Sequence, residues 1–522
     1  MALMAAKSAQ NRPGPGRIRG KFDGAWPPIV VSNRASSDTV RRGVARGELR
    51  KLASRLYTPD QHAAPEELVR RHLVDVVAAY FPGAVIGDRS ALTPGFVASG
   101  SLFLVHTGAD RNVALPGLTV RGRSGPGPLA SDIRFGPTDL YLASEARALI
   151  ENQLPSRARS GVRRRLTREE VEEYLDRVLR TKGEAHLGQL VDTVPAVAAE
   201  LGLPDQGTAV QVLIRDFLGT QGVKPTSQVL RARHARRPYD PDRLPRFHAL
   251  TQSLLARGPA PFPVDPAEQP EFPFYEAYFS NFIEGTEFDL DEARQIVTEQ
   301  VLPPSRPADA HDVLSTYEIV SDLNEMARVP RSAQELEEML VERHRRLMAW
   351  RPEKRPGLWK MTANRAGSTT FVLPEMVRGT LAEGFAIGAS LTAPLDRATY
   401  LGFLVAEVHP FDDGNGRLAR IMMNAELVAA SEQRLVIPIA YRENYLQALR
   451  ALSHNGRAQA LVSVIDWAQR YSARVDWSDY QRAREDMERT GAFTSAVEME
   501  RRGLRLRLPN DVNQADDQQG DR

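Results

Sequence analysis

The stretch HPFDDGNGRLAR, His409 to Arg420, places a histidine, two adjacent carboxylates, two glycines and two arginines close together. A histidine can accept a proton near neutral pH. Asp413 is an oxygen ligand of the kind that Mg²⁺ takes, usually one or two carboxylates together with phosphates. Arg417 and Arg420 are three residues apart, so they can contact phosphate oxygens from one face of a helix. The stretch therefore indicates activation of a hydroxyl for attack on a nucleotide phosphate.

Two helices must position these side chains. Apolar residues recur at helical spacing through Thr392–Val408, which predicts a helix. Pro410 disfavours helix at the residue before it, so His409 is predicted to lie at the mouth of a turn. A second helix is predicted from about Asn415, with a glycine on each side of that residue. Glycines at a helix start let an anion approach the backbone N–H groups, where the helix dipole favours negative charge.

The stretch is similar to the signature of the Fic family, HxFx[DE]GNGRxxR, at every defined position, and the resemblance spans about residues 270–475. It implies a mainly α fold, with an all-helical core and a β-hairpin flap. It also implies transfer of a nucleotidyl group, usually AMP from ATP, to a Ser, Thr or Tyr hydroxyl of a target protein. The resemblance implies that His409 is the catalytic base, that Phe411 is the structural anchor of the motif and that Asp413 is the Mg²⁺ ligand. It also implies that the anion hole is formed by Gly414, Asn415 and Gly416. The implied ligands of the β- and γ-phosphates are Arg417 and Arg420.

A second motif, SNFIEG, lies 129 residues (409 minus 280) before His409. It resembles the [ST]xxxE[GN] inhibitory helix of Fic proteins that carry their inhibitor ahead of the core. Ser280 and Glu284 are four residues apart on one helical face, and Gly285 is placed to end the helix. If this helix packs against the motif helix, the Glu284 carboxylate is expected to pair with Arg420 and to inhibit the enzyme.

Two further matches concern the surroundings of the motif. A hairpin around Lys360–Val372, turning at Gly367 and Ser368, matches the target-docking flap of the family. Tyr445 resembles the aromatic residue on the adenine side of the nucleotide, although a core tyrosine is an equal alternative. His344 lies in the middle of a predicted helix and is interpreted as structural.

The leading hypothesis is therefore an autoinhibited protein adenylyltransferase that uses Mg²⁺ and takes ATP as its substrate. One alternative is removal of AMP at the same site, with the inhibitory glutamate orienting a water molecule. Another is a DNA-binding regulator or antitoxin-like protein whose Fic domain senses a nucleotide. The target protein, the nucleotide preference and the oligomeric state, including a homo-oligomer, stay open.

The N-terminal half suggests a separate role. Residues 1–250 hold 37 Lys and Arg against 25 Asp and Glu, a balance of +12, while the rest holds 31 against 41, a balance of −10. A basic segment can bind nucleic acid. A winged helix is predicted from two short helices followed by a strand at Leu56–Tyr57. The second helix would begin at about Ala45 and carry Arg46, Arg50 and Lys51. The stretches that resemble regulators of the abortive-infection antitoxin type are RGELRKLASRLYTPD, SLFLVHTG, NVALPGLTVRG, DLYLAS and SEARALIENQL. The resemblance implies a winged-helix DNA binder or a toxin-neutralising module, with duplex DNA bound through residues 1–240.

Composition changes divide the chain into predicted segments: a disordered basic arm (1–28), an α+β region with the winged helix (29–150), a helical region (151–240), a Pro-rich linker (241–273), the Fic domain with its inhibitory helix (274–480) and a C-terminal extension with a disordered end (481–522).

The chain has no cysteine, which excludes disulfides, thiolate catalysis and Cys-ligated zinc. No apolar run approaches the roughly 18 residues of a membrane span. A cytoplasmic protein without a membrane partner is expected.

Overall fold

The computed structural model of the chain describes residues 26–156, 162–219, 222, 224–258, 260–503 and 505–508. They belong to two compact units, divided between His234 and Ala235. The predicted arm lies outside the described residues up to residue 25, as does the predicted disordered end from residue 509. Trp26, which the prediction included in the arm, packs against Val40 and Leu49 of the first unit.

The first unit combines two sheets with a helical part. Its strands are β1 (Val30–Val31), β2 (Arg50–Ala53), β3 (Leu56–Thr58), β4 (Ala84–Ile86), β5 (Ser101–His106), β6 (Arg111–Leu115), β7 (Leu118–Ser124), β8 (Ile133–Arg134) and β9 (Leu140–Leu142). Its helices are α1 (Ser37–Ala45), α2 (Pro65–Arg71), α3 (Leu73–Tyr80), α4 (Asp88–Leu92), α5 (Glu145–Glu151), α6 (Arg168–Lys182), α7 (Glu184–Leu201), α8 (Pro204–Phe217) and α9 (Gln228–His234).

The larger sheet has the strand order β6-β7-β5-β4-β9-β8. The pairs β5–β7 and β4–β9 are parallel and the other neighbours are antiparallel. The smaller sheet is antiparallel, in the order β1-β3-β2. A capping box begins α6, because the Thr167 side chain accepts from the Glu170 N–H while the Glu170 carboxylate accepts from the Thr167 N–H.

The second helix of the predicted winged helix is wrong. Gly47, with φ of +74°, turns the chain immediately after α1, and residues 50–53 then form a strand that pairs with β3. Arg50 is bonded to the backbone oxygens of Asp60 and Ala63. The order here is strand, helix and two strands, and the predicted basic helical face is not formed.

The second unit is almost wholly helical, so the predicted mainly α fold is confirmed. Its helices are α10 (Leu244–Leu255), α11 (Phe272–Ile283), α12 (Leu290–Glu299), α13 (Pro307–Val320), α14 (Leu323–Met326), α15 (Ala333–Leu347), α16 (Val377–Gly388), α17 (Pro394–Val408), α18 (Asn415–Ala429), α19 (Arg442–Asn455), α20 (Gln459–Ser472), α21 (Tyr480–Thr490) and α22 (Ala496–Arg501). The hairpin strands are β10 (Arg365–Ala366) and β11 (Thr369–Thr370). Among the described residues, no helix is both long and apolar enough to span a bilayer.

The predicted linker at 241–273 is wrong over its first half. Residues 244–255 form α10, whose Phe247, Leu250 and Leu254 are buried in the main core of the second unit. The closely spaced prolines lie after this helix and therefore do not interrupt it. The helical spacing of the apolar residues determines the local structure here. Further on, the Val264 N–H donates to the Ser431 backbone oxygen, so the extended part wraps against the end of α18.

The two helices that flank the motif form as predicted. Helix α17 ends at Val408 and α18 begins at Asn415, and residues of both lie in one hydrophobic core. The predicted hairpin is also present, with Gly367 and Ser368 between its paired strands. These elements bring the loop from 409 to 414 and the hairpin to the same part of the second unit.

Candidate active site

His409 follows the last residue of α17 in a left-handed backbone conformation, with φ of 54°. Its ring stacks on Phe371 at a centroid distance of 3.7 Å. Nδ1 lies 3.2 Å from the Ala406 carbonyl oxygen, which can only accept, so Nδ1 carries the proton. Nε2 is then left with a lone pair. Burial lowers the pKa of His409 to about 4, so the ring is neutral at pH 7 and can act as a base.

Aromatic stacking holds the loop after His409 in place. The Phe411 ring, fully buried, lies between His344 at 3.8 Å and Trp359 at 5.0 Å. His344 Nδ1 accepts from the Gly357 N–H, so Nε2 carries the proton and donates to the Asp413 carbonyl oxygen at 3.1 Å. Burial lowers the pKa of His344 to about 4. His344 thus supports the loop, and Phe411 lies where an anchor is expected.

Asn415 closes the loop from the other side. Its side chain accepts from the Phe411 N–H and donates to the Phe411 carbonyl oxygen, each at 2.9 Å. Gly414 precedes it with φ of 73°, a conformation that favours glycine. The Asn415 side chain is therefore used within the loop, and a contribution of this residue to an anion hole would come from its backbone N–H.

The carboxylate of Glu284 lies at the start of α18. A Cβ atom on Gly416 would collide with Glu284 Oε1, so the absence of a side chain there lets the carboxylate reach the helix backbone. Arg420 Nη2 donates to Glu284 Oε1 at 2.7 Å, and its Nε donates to Ser280 Oγ at 3.0 Å. The expected pair of Glu284 and Arg420 is present. A negatively charged group thus lies at the positive end of the helix dipole.

Glu284 is held at the end of α11, which stops at Ile283. Gly285 follows with φ of +91°, as a residue that ends a helix. The Arg442 guanidinium donates to the Ile283 carbonyl oxygen at 2.9 and 3.1 Å and so binds the open end of the helix. The side chain of Glu284 is 36% exposed, whereas that of Arg420 is 7% exposed.

Arg417 is bound differently, although it lies one helical turn before Arg420. Its Nη1 lies 2.9 Å from Asp312 Oδ2 and 3.4 Å from Asn281 Oδ1. Both arginines therefore lie near the end of α11, but each meets a different carboxylate. The sequence gives no local signal for Asp312, which lies more than a hundred residues before Arg417.

A cavity of about 510 Å³ brings five of the twelve predicted site residues together. It is lined by His409, Gly416, Arg420, Glu284 and Tyr445, by the hairpin residues Ala366, Gly367, Ser368, Thr369 and Phe371, and by Phe403, Ala406, Glu407, Leu446, Leu449, Arg450 and Ser453. Asp413 and Arg417 are not among its lining residues. Tyr445 is buried in the wall, and burial raises the pKa of its phenol.

Residues 333–427 match the Fic/DOC family. They form a Fic domain. The match contains the hairpin, α17 and α18 up to residue 427, whereas Ser280, Glu284 and Tyr445 lie outside it.

Relatives of the Fic domain support this assignment. The protein adenylyltransferase fic-1 of Caenorhabditis briggsae is 25% identical over 181 residues, which is 34% of this chain and 36% of the relative. The protein adenylyltransferase Fic of Nematostella vectensis is 26% identical over 187 residues, which is 35% of this chain and 43% of the relative. The chain thus matches about two fifths of the length of these relatives.

Solved Fic structures are also similar. Fic-1 (residues 134–508) from C. elegans covers 62% of this chain and 87% of its own, at 16% identity and a TM-score of 0.35. A Fic domain containing signaling protein from Bacteroides thetaiotaomicron covers 46% and 97%, at 18% identity and a TM-score of 0.34. Scores this low do not support a shared overall arrangement.

Asp413 is the acidic residue of the Fic domain that would hold Mg²⁺. Its Oδ1 accepts from the Gly414 N–H at 2.7 Å, and its Oδ2 lies 3.3 Å from Lys354 Nζ. Burial acts to raise the pKa of Asp413, but the Gly414 N–H and the nearby cations lower it, so the group is a carboxylate. Among the described residues no cluster of three or more His, Asp or Glu could hold a metal. One carboxylate fits Mg²⁺ that also binds nucleotide phosphates.

The base of the hairpin is fastened to the motif loop. The Lys360 N–H donates to the Pro410 carbonyl oxygen at 3.0 Å, and Asn364 Nδ2 donates to the Phe411 carbonyl oxygen at 2.9 Å. Lys360 Nζ in turn donates to Asn364 Oδ1 at 2.8 Å. Burial, together with the nearby Arg243, lowers the pKa of Lys360 to about 7. The hairpin and the motif loop are thus connected by part-buried hydrogen bonds.

Arg243 holds the other side of the hairpin from outside the matched segment. Its guanidinium donates to the Glu407 carboxylate, to the Thr370 carbonyl oxygen and to Asp240. It therefore joins the start of α10 to β11 and to a residue two positions before His409. Arg243 was not predicted as a site residue, because this part of the chain was predicted to be a linker.

Proposed function

We propose that the second unit is a protein adenylyltransferase, which transfers AMP from ATP to a Ser, Thr or Tyr hydroxyl of a target protein and is inhibited by Glu284. One observation carries the proposal: a base-competent His409 shares a cavity with Gly416 and Arg420, where the Glu284 carboxylate lies. The relatives that carry the name protein adenylyltransferase support the same reaction.

In this reaction the hydroxyl oxygen attacks the α-phosphorus of ATP, and the bond to the leaving pyrophosphate breaks. His409 Nε2 takes the hydroxyl proton. The N–H groups at the start of α18, with Arg417 and Arg420, bind the β- and γ-phosphates. Asp413 would hold Mg²⁺, which would supply positive charge to the phosphates.

Inhibition follows from competition for the same donors. While Glu284 occupies the Gly416 backbone and pairs with Arg420, a phosphate cannot bind there. ATP would then bind with its α-phosphate out of line for attack. Because catalysis depends on alignment, even a small displacement costs about 10²-fold in rate.

The test is incorporation of labelled AMP by the purified protein. Glu284→Gly is expected to raise auto-adenylylation about 10²-fold, because Arg420 becomes free for the γ-phosphate. Adding Arg420→Ala should remove much of this gain, and adding His409→Ala should abolish transfer. Glu287→Gly is the matched control, since Glu287 is also exposed after α11 and no side-chain contact with Arg420 is found for it. Equal rates for the wild type and Glu284→Gly would contradict inhibition by Glu284.

The second candidate is removal of AMP at the same site. The presence of Glu284 and His409 in one cavity favours it, because the carboxylate could orient a water molecule near the phosphorus. The same variants separate the two candidates when they are mixed with a previously adenylylated target. A remover of AMP should release the label in the wild type and stop releasing it in Glu284→Gly.

For the first unit the proposal is weak binding of duplex DNA, as in a regulator. Its support is the excess of basic residues, +10 over residues 1–234, from 33 Lys and Arg against 23 Asp and Glu. Binding of a toxin or another protein is the alternative. A cytoplasmic location and a homo-oligomer stay predictions.

A further inference from the structure

We infer that Asp312 is a positioning residue, which orients Arg417 for the phosphates of the nucleotide. This inference rests on the proposed function and adds a residue to the same site. Asp312 lies in α13, outside the matched Fic segment. Its carboxylate is 2.9 Å from Arg417 Nη1, and both side chains are only 5% exposed.

Asp312 is itself fixed from the opposite side. Arg351 Nε donates to both carboxylate oxygens at 3.0 Å, and Arg351 Nη2 donates to Oδ2 at 2.7 Å. Arg351 also bonds Asp309, one turn earlier in the same helix, at 2.8 Å. Arg417 is thus the buried end of a chain of ion pairs that runs through Asp312 and Arg351 to Asp309.

The Asp312 pair differs from the Glu284 pair in its freedom to move. Glu284 lies after the end of a helix, is 36% exposed and makes its ion pair with Arg420. Asp312 lies in the middle of α13, is buried and is held by Arg351. If a buried carboxylate that pairs with two guanidinium groups moved away, it would leave their positive charges buried and uncompensated, which is energetically costly. Glu284 can therefore move aside for ATP, whereas Asp312 stays with Arg417.

Arg417 keeps one unused donor. Its Nη1 contacts Asp312 and Asn281, and its Nη2 lies 3.5 Å from Met348 Sδ. Among the described residues, no acceptor is found for its buried Nε. A guanidinium fixed at its far end with a free N–H is preorganised, so little side-chain freedom is lost when an anion binds. The unused N–H group indicates that Asp312 positions Arg417 and does not block it as a second inhibitory contact would.

The experiment measures ATP affinity and AMP transfer in the Glu284→Gly protein, where Arg420 has lost its ion pair. Asp312→Asn keeps the shape of the side chain but removes its charge. The expected result is an ATP Kd and KM raised about 10-fold, with a smaller loss in kcat. Asp309→Asn is the matched control, because Asp309 lies in the same helix and its carboxylate contacts Arg351 but is not found in contact with Arg417. The control should leave the ATP Kd unchanged.

A double-mutant cycle with Arg417→Ala separates positioning from a general structural role. If Asp312 acts through Arg417, Asp312→Asn has no further effect on the ATP Kd once Arg417 is alanine. Independent, multiplicative losses would overturn the inference, and so would a gain in transfer from Asp312→Asn alone, which would make Asp312 a second inhibitor.

Two further outcomes are covered by the same measurements. If Asp312→Asn does not fold, Arg351→Gln keeps the pair of Asp312 and Arg417 but removes its brace. A rise in the ATP Kd is then expected, and an unchanged Kd would overturn the inference. A Glu284→Gly parent that binds ATP but transfers no AMP would refute the proposed function, while the comparison of Kd values would still decide the role of Asp312.

Discussion

His409 is kept in the neutral form that a base requires. Burial lowers its pKa to about 4, and the hydrogen bond from Nδ1 to the Ala406 carbonyl oxygen leaves Nε2 as the acceptor. Because the folded-state pKa is below the ordinary value of about 6.5, protonation of the ring requires a more acidic solution. The neutral fraction is therefore close to one at pH 7 and stays high at pH 5.5.

This predicts an unusually flat acid side of the pH profile. AMP transfer by Glu284→Gly at saturating ATP should lose less than about half of its rate between pH 7 and pH 5.5. A histidine with the ordinary pKa of about 6.5 would retain only about a tenth at pH 5.5. Circular dichroism at each pH serves as the control for folding. A tenfold fall between these pH values, with the fold intact, would contradict the assigned state of His409.

At the scale of single residues, the sequence identified the motif and the partner of Arg420, but not the partner of Arg417. The positions of His409, Phe411 and the two glycines follow from a short local pattern, and the pairing of Glu284 with Arg420 was expected from two such patterns. Asp312 was not predicted. Its contact joins residues far apart in the chain and depends on how α13 packs, which no local pattern determines.

At the scale of elements, the hairpin is held from two directions. Lys360 and Asn364 fasten its base to the motif loop, and Arg243 fastens β11 to the start of α10. The hairpin was predicted from its turn residues. Helix α10 was missed because the prolines that follow it made the whole stretch resemble a linker, although Phe247, Leu250 and Leu254 have the spacing of a buried helical face.

Loss of Arg243 should make the hairpin more mobile without weakening ATP binding. In Glu284→Gly, adding Arg243→Ala is expected to reduce AMP transfer about 10-fold, with less than a twofold change in the ATP Kd. Hydrogen exchange of the hairpin amides should become faster, because the bond to the Thr370 carbonyl oxygen is lost.

The control for this prediction is Arg257→Ala. Arg257 follows the other end of α10 and pairs with Asp396 and Asp466, so its loss also removes buried ion pairs. Stability should fall in this variant, but exchange in the hairpin should not change. Unaltered hairpin exchange in the Arg243 variant would show that Arg243 does not hold the hairpin.

At the scale of the whole molecule, the chain joins a basic half to an acidic half. The α+β character predicted for the N-terminal region agrees with the two sheets of the first unit, but the second helix of the winged helix is replaced by β2. The turn at Gly47 determines that a strand, and not a helix, follows α1. The spacing of the arginines in the sequence does not predict this turn.

DNA binding by the full-length protein is predicted to depend on salt. A gel shift with duplex DNA should show retardation at 50 mM salt that largely disappears at 200 mM, because phosphate contacts release counterions. The double variant Arg163→Gln with Arg165→Gln should bind more weakly. The control, Arg501→Gln with Arg502→Gln, removes two exposed arginines from the second unit. No retardation at 50 mM salt would favour a protein partner for the first unit.

The contact between Glu284 and Arg420 lies within one chain, so the proposed inhibitor is tethered to its site. Its effective concentration is then fixed by the fold, on the order of millimolar or above for a short tether, and does not depend on how many molecules are present. Dilution of the protein cannot release it. Inhibition should be as complete at nanomolar as at micromolar protein, and relief must come from an event that moves the end of α11.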